Sequence, residues 1–150
     1  MHKLLTTVFV ACAGAVASAT AAHAGLLSST GVVIAILADD LFVGEAEGHL
    51  NGAGTLAIHS QKRPHVTCQG QFISSALLGG TGQMRCSDGA TATFQFQRLS
   101  VLRGHGIGSF SRGGMSFAYG LTAEEAAPYL TLPEGKKLTY KGTELQLADL

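Results

Sequence analysis

The chain has 150 residues, with 10 Lys plus Arg against 10 Asp plus Glu, 20 glycines, three cysteines and no tryptophan. That length suits one domain with a core of its own. A formal net charge of zero gives no electrostatic reason to bind nucleic acid or an anionic membrane surface, and basic residues do not interleave with aromatic ones, so nucleic acid is excluded as an expected partner.

Residues 1–24, "MHKLLTTVFVACAGAVASATAAHA", carry one fixed positive charge at Lys3, an apolar run from Leu4, and the small-x-small triplet Ala22-His23-Ala24. This order predicts a secretory signal peptide cleaved after Ala24, and hence an exported, periplasmic or secreted mature chain from Gly25 to Leu150. Two alternatives remain open: an uncleaved anchor, since Leu4 to Ala22 is nearly long enough to span, and lipid attachment at Cys12. Without Lys3 the mature chain has nine basic and ten acidic residues, a net charge of about −1. Its best apolar run, "GVVIAIL", is far too short to cross a bilayer as a helix.

Export determines how the cysteines are read. Cys12 leaves with the signal, and Cys68 and Cys86 remain in an oxidising compartment, where an even pair predicts a disulfide. Zinc is the competing ligand, but no His or second Cys pair stands at ligand spacing.

From there the chain reads as strands. "GVVIAIL" is rich in β-branched residues and turns at Ala38-Asp39-Asp40 into "LFVGEAEGHL". "AEGHLNGAGTLAI" closes as a hairpin around Asn51-Gly52-Ala53, which sets Gly48 opposite Leu56 and Ala46 opposite Ile58. "SQKRP" is a loop with Lys62 and Arg63 at its tip, flanked by His59 and His65. In "VTCQGQF", Val66, Cys68, Gly70 and Phe72 share one face.

"GQMRCSDGATATFQFQ" is the most informative stretch. Ala90, Ala92, Phe94 and Phe96 alternate with Thr91, Thr93, Gln95 and Gln97, the period of a half-buried strand. A loop of Ser87, Asp88 and Gly89 places Gly where the left-handed conformation is needed. It also pairs Met84 with Ala92 and Gly82 with Phe94, inward residue with inward residue. A slip by one would invert the whole face. Pairing "VTCQGQF" with "GQMRC" sets Cys68 opposite Cys86, Gly70 opposite Met84 and Phe72 opposite Gly82, and directly paired residues lie within disulfide reach.

A bulge or bend is expected between Gln97 and Gly104. Beyond it, "HGIGSFSRGGMSFAYG" closes around Ser111-Arg112-Gly113, with Ile107 opposite Phe117, Ser109 opposite Met115 and His105 opposite Tyr119. Thr122 and Glu125 form a capping-box pattern before Pro128, which predicts one short helical turn near residues 122–127. "KKLTYKGTELQL" is a closing hairpin with Gly142 in its turn. The expected fold is all-β: an antiparallel up-and-down meander of about eight to ten short strands, curled into a small barrel or a sandwich.

Chemistry has few places to reside. Glu45, Glu47 and His49 alternate on one strand face, a row that could serve a metal or acid–base pair, or simply meet solvent. His49, His59, His65 and His105 follow no metal spacing, and His105 is placed on the apolar face beside Ile107. Gly104, Gly106 and Gly108 in "RGHGIGSF" lack the Lys-Ser/Thr of a phosphate loop and instead leave bare backbone for close approach or sharp coiling. No catalytic residue, metal or cofactor is nominated.

"LFVGEAEGHLNGAGTLAIHS", "CSDGATATFQFQRLSV" and "GSFSRGGMSFAYGL" resemble stretches of small exported proteins of Gram-negative bacteria, a resemblance that brings no activity or ligand with it. "CQGQF" and the following "GTG" and "DG" resemble the glycine-punctuated hairpins of MORN repeats, in hairpin style alone. The expected function is a non-catalytic module that binds or supports an envelope protein. The alternative is a carrier of a small apolar, lipid-like ligand, its wall drawn from Phe94, Phe96, Ile107, Phe117 and Tyr119. A hydrolase using Glu45, Glu47 or His49 is the third reading.

Overall fold

The computed structural model describes residues 28–75 and 78–150. The signal-peptide reading and Cys12 lie outside the described residues. Eight antiparallel strands follow one another round a closed barrel: β1 (Ser28–Leu37), β2 (Asp40–His49), β3 (Ala53–Ser60), β4 (Thr67–Ser75), β5 (Gly79–Cys86), β6 (Thr91–Ser100), β7 (Arg103–Phe110) and β8 (Gly113–Tyr119). Closure comes from β1 pairing with β8, Val33 opposite Tyr119 through Leu37 opposite Met115. A capping box then starts the one-turn helix α1 (Ala123–Ala126), with Thr122 and Glu125 each serving the other's backbone N–H. A 3-10 turn carrying Pro128 follows at Ala127–Tyr129. The last hairpin, β9 (Lys136–Lys141) and β10 (Glu144–Asp149), is a separate two-stranded sheet.

Alternation along each strand separates interior from exterior. Val33, Ala35, Phe42, Leu56, Ile58, Cys68, Met84, Cys86, Ala92, Phe94, Phe96, Met115 and Phe117 form one buried cluster inside the barrel. Outside, the rows of β3 to β6 are mostly Thr and Gln, whereas β1, β2 and β8 bury a second cluster: Ile34, Ile36, Leu41 and Ala118 lie beneath Leu121, Ala126, Leu130 and Leu145. That cover explains why "GVVIAIL" is so apolar, since β1 is buried on both faces from Val33 to Leu37. An apolar interior with a Thr- and Gln-rich exterior reverses the arrangement of outer-membrane barrels, whose apolar band faces outward. No described helix is long and apolar enough to cross a membrane.

The disulfide joins Cys68 and Cys86, directly opposite each other on β4 and β5. Gly70 with Met84, Phe72 with Gly82 and Gly82 with Phe94 also pair as the alternation predicts. The bulge falls between Arg98 and Ser100.

Three registers differ from expectation. The β2–β3 loop is Leu50-Asn51-Gly52, so Gly48 meets Gly54 and Ala46 meets Leu56. Gly52 has φ +87°, and the position that needs a left-handed residue is the last of the three; the expected loop had placed Ala53 there. The same motif recurs at Ser87-Asp88-Gly89. In both loops the Gly N–H donates to the carbonyl three residues earlier at 3.0 Å. The middle Asn51 or Asp88 oxygen accepts from the N–H two residues later.

Between β1 and β2 the loop is only Ala38 and Asp39, both at positive φ, with Leu37 opposite Asp40. Between β7 and β8 it is Ser111 and Arg112, one residue shorter than expected. Gly106, not Ile107, therefore faces Phe117, and His105 faces Ala118 rather than Tyr119. Ile107 is consequently outside the barrel, 57% exposed. The interior row of β7 is Gly104, Gly106 and Gly108: side chains there would meet the Gln97, Gln95 and Thr93 carbonyls together with the Tyr119 ring, the Phe117 ring and the Phe94 Cβ.

Candidate functional site: a half-hollow barrel

The two ends of the barrel differ. At one end Leu37, Phe42, Val66, Cys68, Cys86 and Ala90 are packed and buried in the interior. The connections at that end are tied by polar contacts. Ser60 Oγ donates to Asp40 Oδ2 at 2.6 Å and accepts from Arg63 N–H at 2.9 Å. Arg63 stands between Asp40 at 3.7 Å and Asp88 at 3.9 Å, and Arg112 reaches Asp88 at 2.6 Å. One relay thus links all four connections at that end, and the Arg63 tip of "SQKRP" is engaged within it. The Ala90 N–H first, then Arg112, hold the Asp88 carboxyl below the ordinary carboxylate range.

The other end is hollow. A cavity of about 600 Å³ runs into the barrel between Val33, Ala46, Leu56, Ile58, Phe72, Phe94, Phe96, Met115, Phe117 and Tyr119. Its rings touch edge to face: Phe72 and Phe96 at 5.7 Å, Phe96 and Tyr119 at 5.8 Å, Phe94 and Phe117 at 5.3 Å. Such rings are held in fixed orientations, so the space between them keeps its shape. The opening is framed by Ser28 to Gly31, by the Leu50-Asn51-Gly52 loop and by Val101 and Leu102. On one side the β1–β8 ladder stops at Val33 and Tyr119, so Ser28 to Gly31 stand along the opening paired with β2 alone.

Large apolar side chains sit at the tips around this opening. Leu50 and Leu78 are each 82% exposed, Val101 75% and Leu102 50%. Isolated exposed leucines are ordinary; these four side chains gather at one end of the molecule.

Besides the polar residues of the rim, Arg98 and the Tyr119 hydroxyl stand beside the apolar lining. Arg98 continues the inward row of Phe94 and Phe96, and its guanidinium donates to Ser75 O at 3.1 Å, Val101 O at 2.5 Å and Ser74 Oγ at 2.8 Å. The Tyr119 hydroxyl oxygen is buried and has no hydrogen-bond partner among the described residues. Burial pushes this phenol above its ordinary range, while the Arg98 charge acts in the opposite direction.

Of the side chains anticipated as a wall, Phe94, Phe96, Phe117 and Tyr119 line the cavity and Ile107 does not. Phe72, Met115 and Arg98 line it without having been singled out, although their inward parity was legible for Phe72 and Arg98. Glu45 and Glu47 point outward into a wider groove of about 850 Å³ on the outer face of β2 to β6, among Thr55, Gln69, Gln71, Gln83, Arg85 and Thr93. His49 instead borders the cavity mouth, so the acidic row and the histidine do not act on one point. Among the described residues no group of three or more metal-ligating side chains assembles. His105 is stacked on Tyr129 at 4.1 Å, outside the barrel. The outer groove is the solvent-facing side of a sheet, whereas the inner cavity is lined chiefly by apolar side chains.

Comparison of the chain with protein-family models, with curated proteins and with solved structures finds no match.

Proposed function

We propose that this protein is a non-catalytic, exported carrier that holds a small apolar ligand inside its barrel. The observation that carries the reading is the aromatic-walled cavity of about 600 Å³, open at one end only. That volume lies within the range of about 300–1,000 Å³ typical of sites for small organic ligands. A barrel built only for stability would fill this end as it fills the other, because each unfilled volume forfeits packing contacts. The apolar tips at the mouth give an apolar molecule a favourable surface on its way in. The disulfide is compatible with the oxidising compartment that export implies.

The test is direct binding by purified, delipidated protein. An environment-sensitive apolar dye, 1-aminoanthracene, should gain fluorescence and be displaced by long-chain alcohols. Ala46→Phe places a ring in the cavity and should abolish the gain while circular dichroism shows the barrel retained. No binding by the folded wild-type protein, or unaltered binding by the folded variant, would overturn the carrier reading.

A further inference from the structure

Resting on the carrier reading, we propose that the ligand is a long-chain carboxylate whose head is held at the cavity mouth by the Arg98 guanidinium and the Tyr119 hydroxyl.

The argument begins with charge. Arg63, Arg103 and Arg112 each meet a carboxylate. Arg98 meets none within 4.0 Å among the described residues, and its three hydrogen-bond acceptors are two backbone carbonyls and a serine hydroxyl. A guanidinium keeps its charge at any ordinary pH. Here it is half-buried beside an apolar cavity, where a charge interacts more strongly than it would in water. With five N–H donors and three of these contacts made, the fork retains donors for one more acceptor group.

Tyr119 supplies the second group. Its ring belongs to the cavity wall, edge to face with Phe96, and its hydroxyl is a buried donor without a partner. Buried polar groups in folded proteins are nearly always hydrogen-bonded, so an orphaned hydroxyl on a ligand cavity points to a ligand atom as its partner. Both groups are served by one kind of head, an anionic acceptor. Deeper in, the wall of Val33, Leu56, Ile58, Phe94, Met115 and Phe117 is apolar and suits a hydrocarbon tail. One guanidinium and one phenol match a singly charged, planar carboxylate, which arginine binds in bidentate fashion.

The experiment compares cis-parinaric acid, a fluorescent long-chain carboxylate, with its methyl ester on delipidated full-length protein. The acid should bind at least tenfold more tightly than the ester. Arg98→Gln and Tyr119→Phe should each shrink that preference, and Arg98→Lys should restore part of it. Equal binding of acid and ester by the wild type, or an undiminished preference in folded Arg98→Gln, would overturn this inference while the carrier reading stands. Binding of neither acid nor ester would overturn both. A single-chain lysophosphatidic acid is the third arm; if it displaces the carboxylate at tenfold lower concentration, the head is a phosphate and the carboxylate assignment is wrong.

Discussion

Gly106 stands directly opposite Phe117 across the β7–β8 ladder, and the Phe117 ring occupies the volume that a Cβ on Gly106 would fill. The relationship repeats round the interior. Phe72 lies between Gly54 and Gly82, Phe94 between Gly82 and Gly108, and Phe96 between Gly80 and Gly106, while Tyr119 faces Gly104. Rings project from β4, β6 and β8, and bare backbone from β3, β5 and β7. A ring laid over a cross-strand glycine covers its backbone and pins the register. The same packing leaves the centre of the barrel's open half unfilled.

Gly106→Ala should therefore destabilise the fold. The new methyl group would meet the Gln95 carbonyl, a backbone atom held in the ladder, and the Phe117 ring. Overpacking of this kind costs about 1–3 kcal/mol. Gly114, beside which nothing lies within 4 Å, is the control, and Gly114→Ala should leave the urea midpoint almost unchanged. Urea titrations of both variants check this, and equal midpoints would refute the close-packed account.

Reduction should weaken the barrel without dismantling its pattern. The Cys68–Cys86 bridge spans a sequence separation of 18, for which loop-closure entropy predicts about 3 kcal/mol. The double substitution of Cys68→Ala and Cys86→Ala avoids leaving buried thiols and should lower the urea-derived stability by a comparable amount, less whatever the smaller side chains change in packing. Thiol titration of denatured protein before and after reduction gives the count of sulfurs released, and unchanged stability on full reduction would contradict the prediction.

Acid should weaken the polar relay at the filled end. The Asp88 carboxyl titrates below its unfolded-state value because the Ala90 N–H and Arg112 favour the anion. A carboxyl depressed in this way contributes stability above the unfolded carboxylate range, and that contribution is lost as pH falls through the folded value. Glu125, held low first by the Thr122 N–H and then by Arg103, and Asp149, held low by Lys136, act with the same sign. Melting temperature measured from roughly pH 6 down to pH 3 should fall, and Asp88→Asn should shallow that slope. A slope unaffected by Asp88→Asn would show that the turn relay contributes nothing to acid sensitivity.

Much of the ladder could be read from residue order. Period-2 alternation in "ATATFQFQ" and the Ser-Asp-Gly loop lead to the β5–β6 register, and alternation again brings Cys68 opposite Cys86. Each of those pairings joins near neighbours through a short turn, where one slipped residue inverts a face. The β7–β8 slip shows the limit. With glycine on one face of "RGHGIGSF" and His105 and Ile107 on the other, hydrophobicity points to the wrong side, and only the rings of β6 and β8 reveal why the bare side is inward.

Local sequence determined the meander, the Ser87-Asp88-Gly89 turn, the capped helical turn and the pairing of Cys68 with Cys86, because those features depend on backbone preference and on contacts close along the chain. The tertiary structure alone decided that β1 meets β8, that one half of the barrel is filled and the other hollow, and that Arg98 and Tyr119 share its mouth. Closure and cavity volume follow from how side chains on all eight strands meet across the interior, and no stretch of neighbouring residues contains that sum.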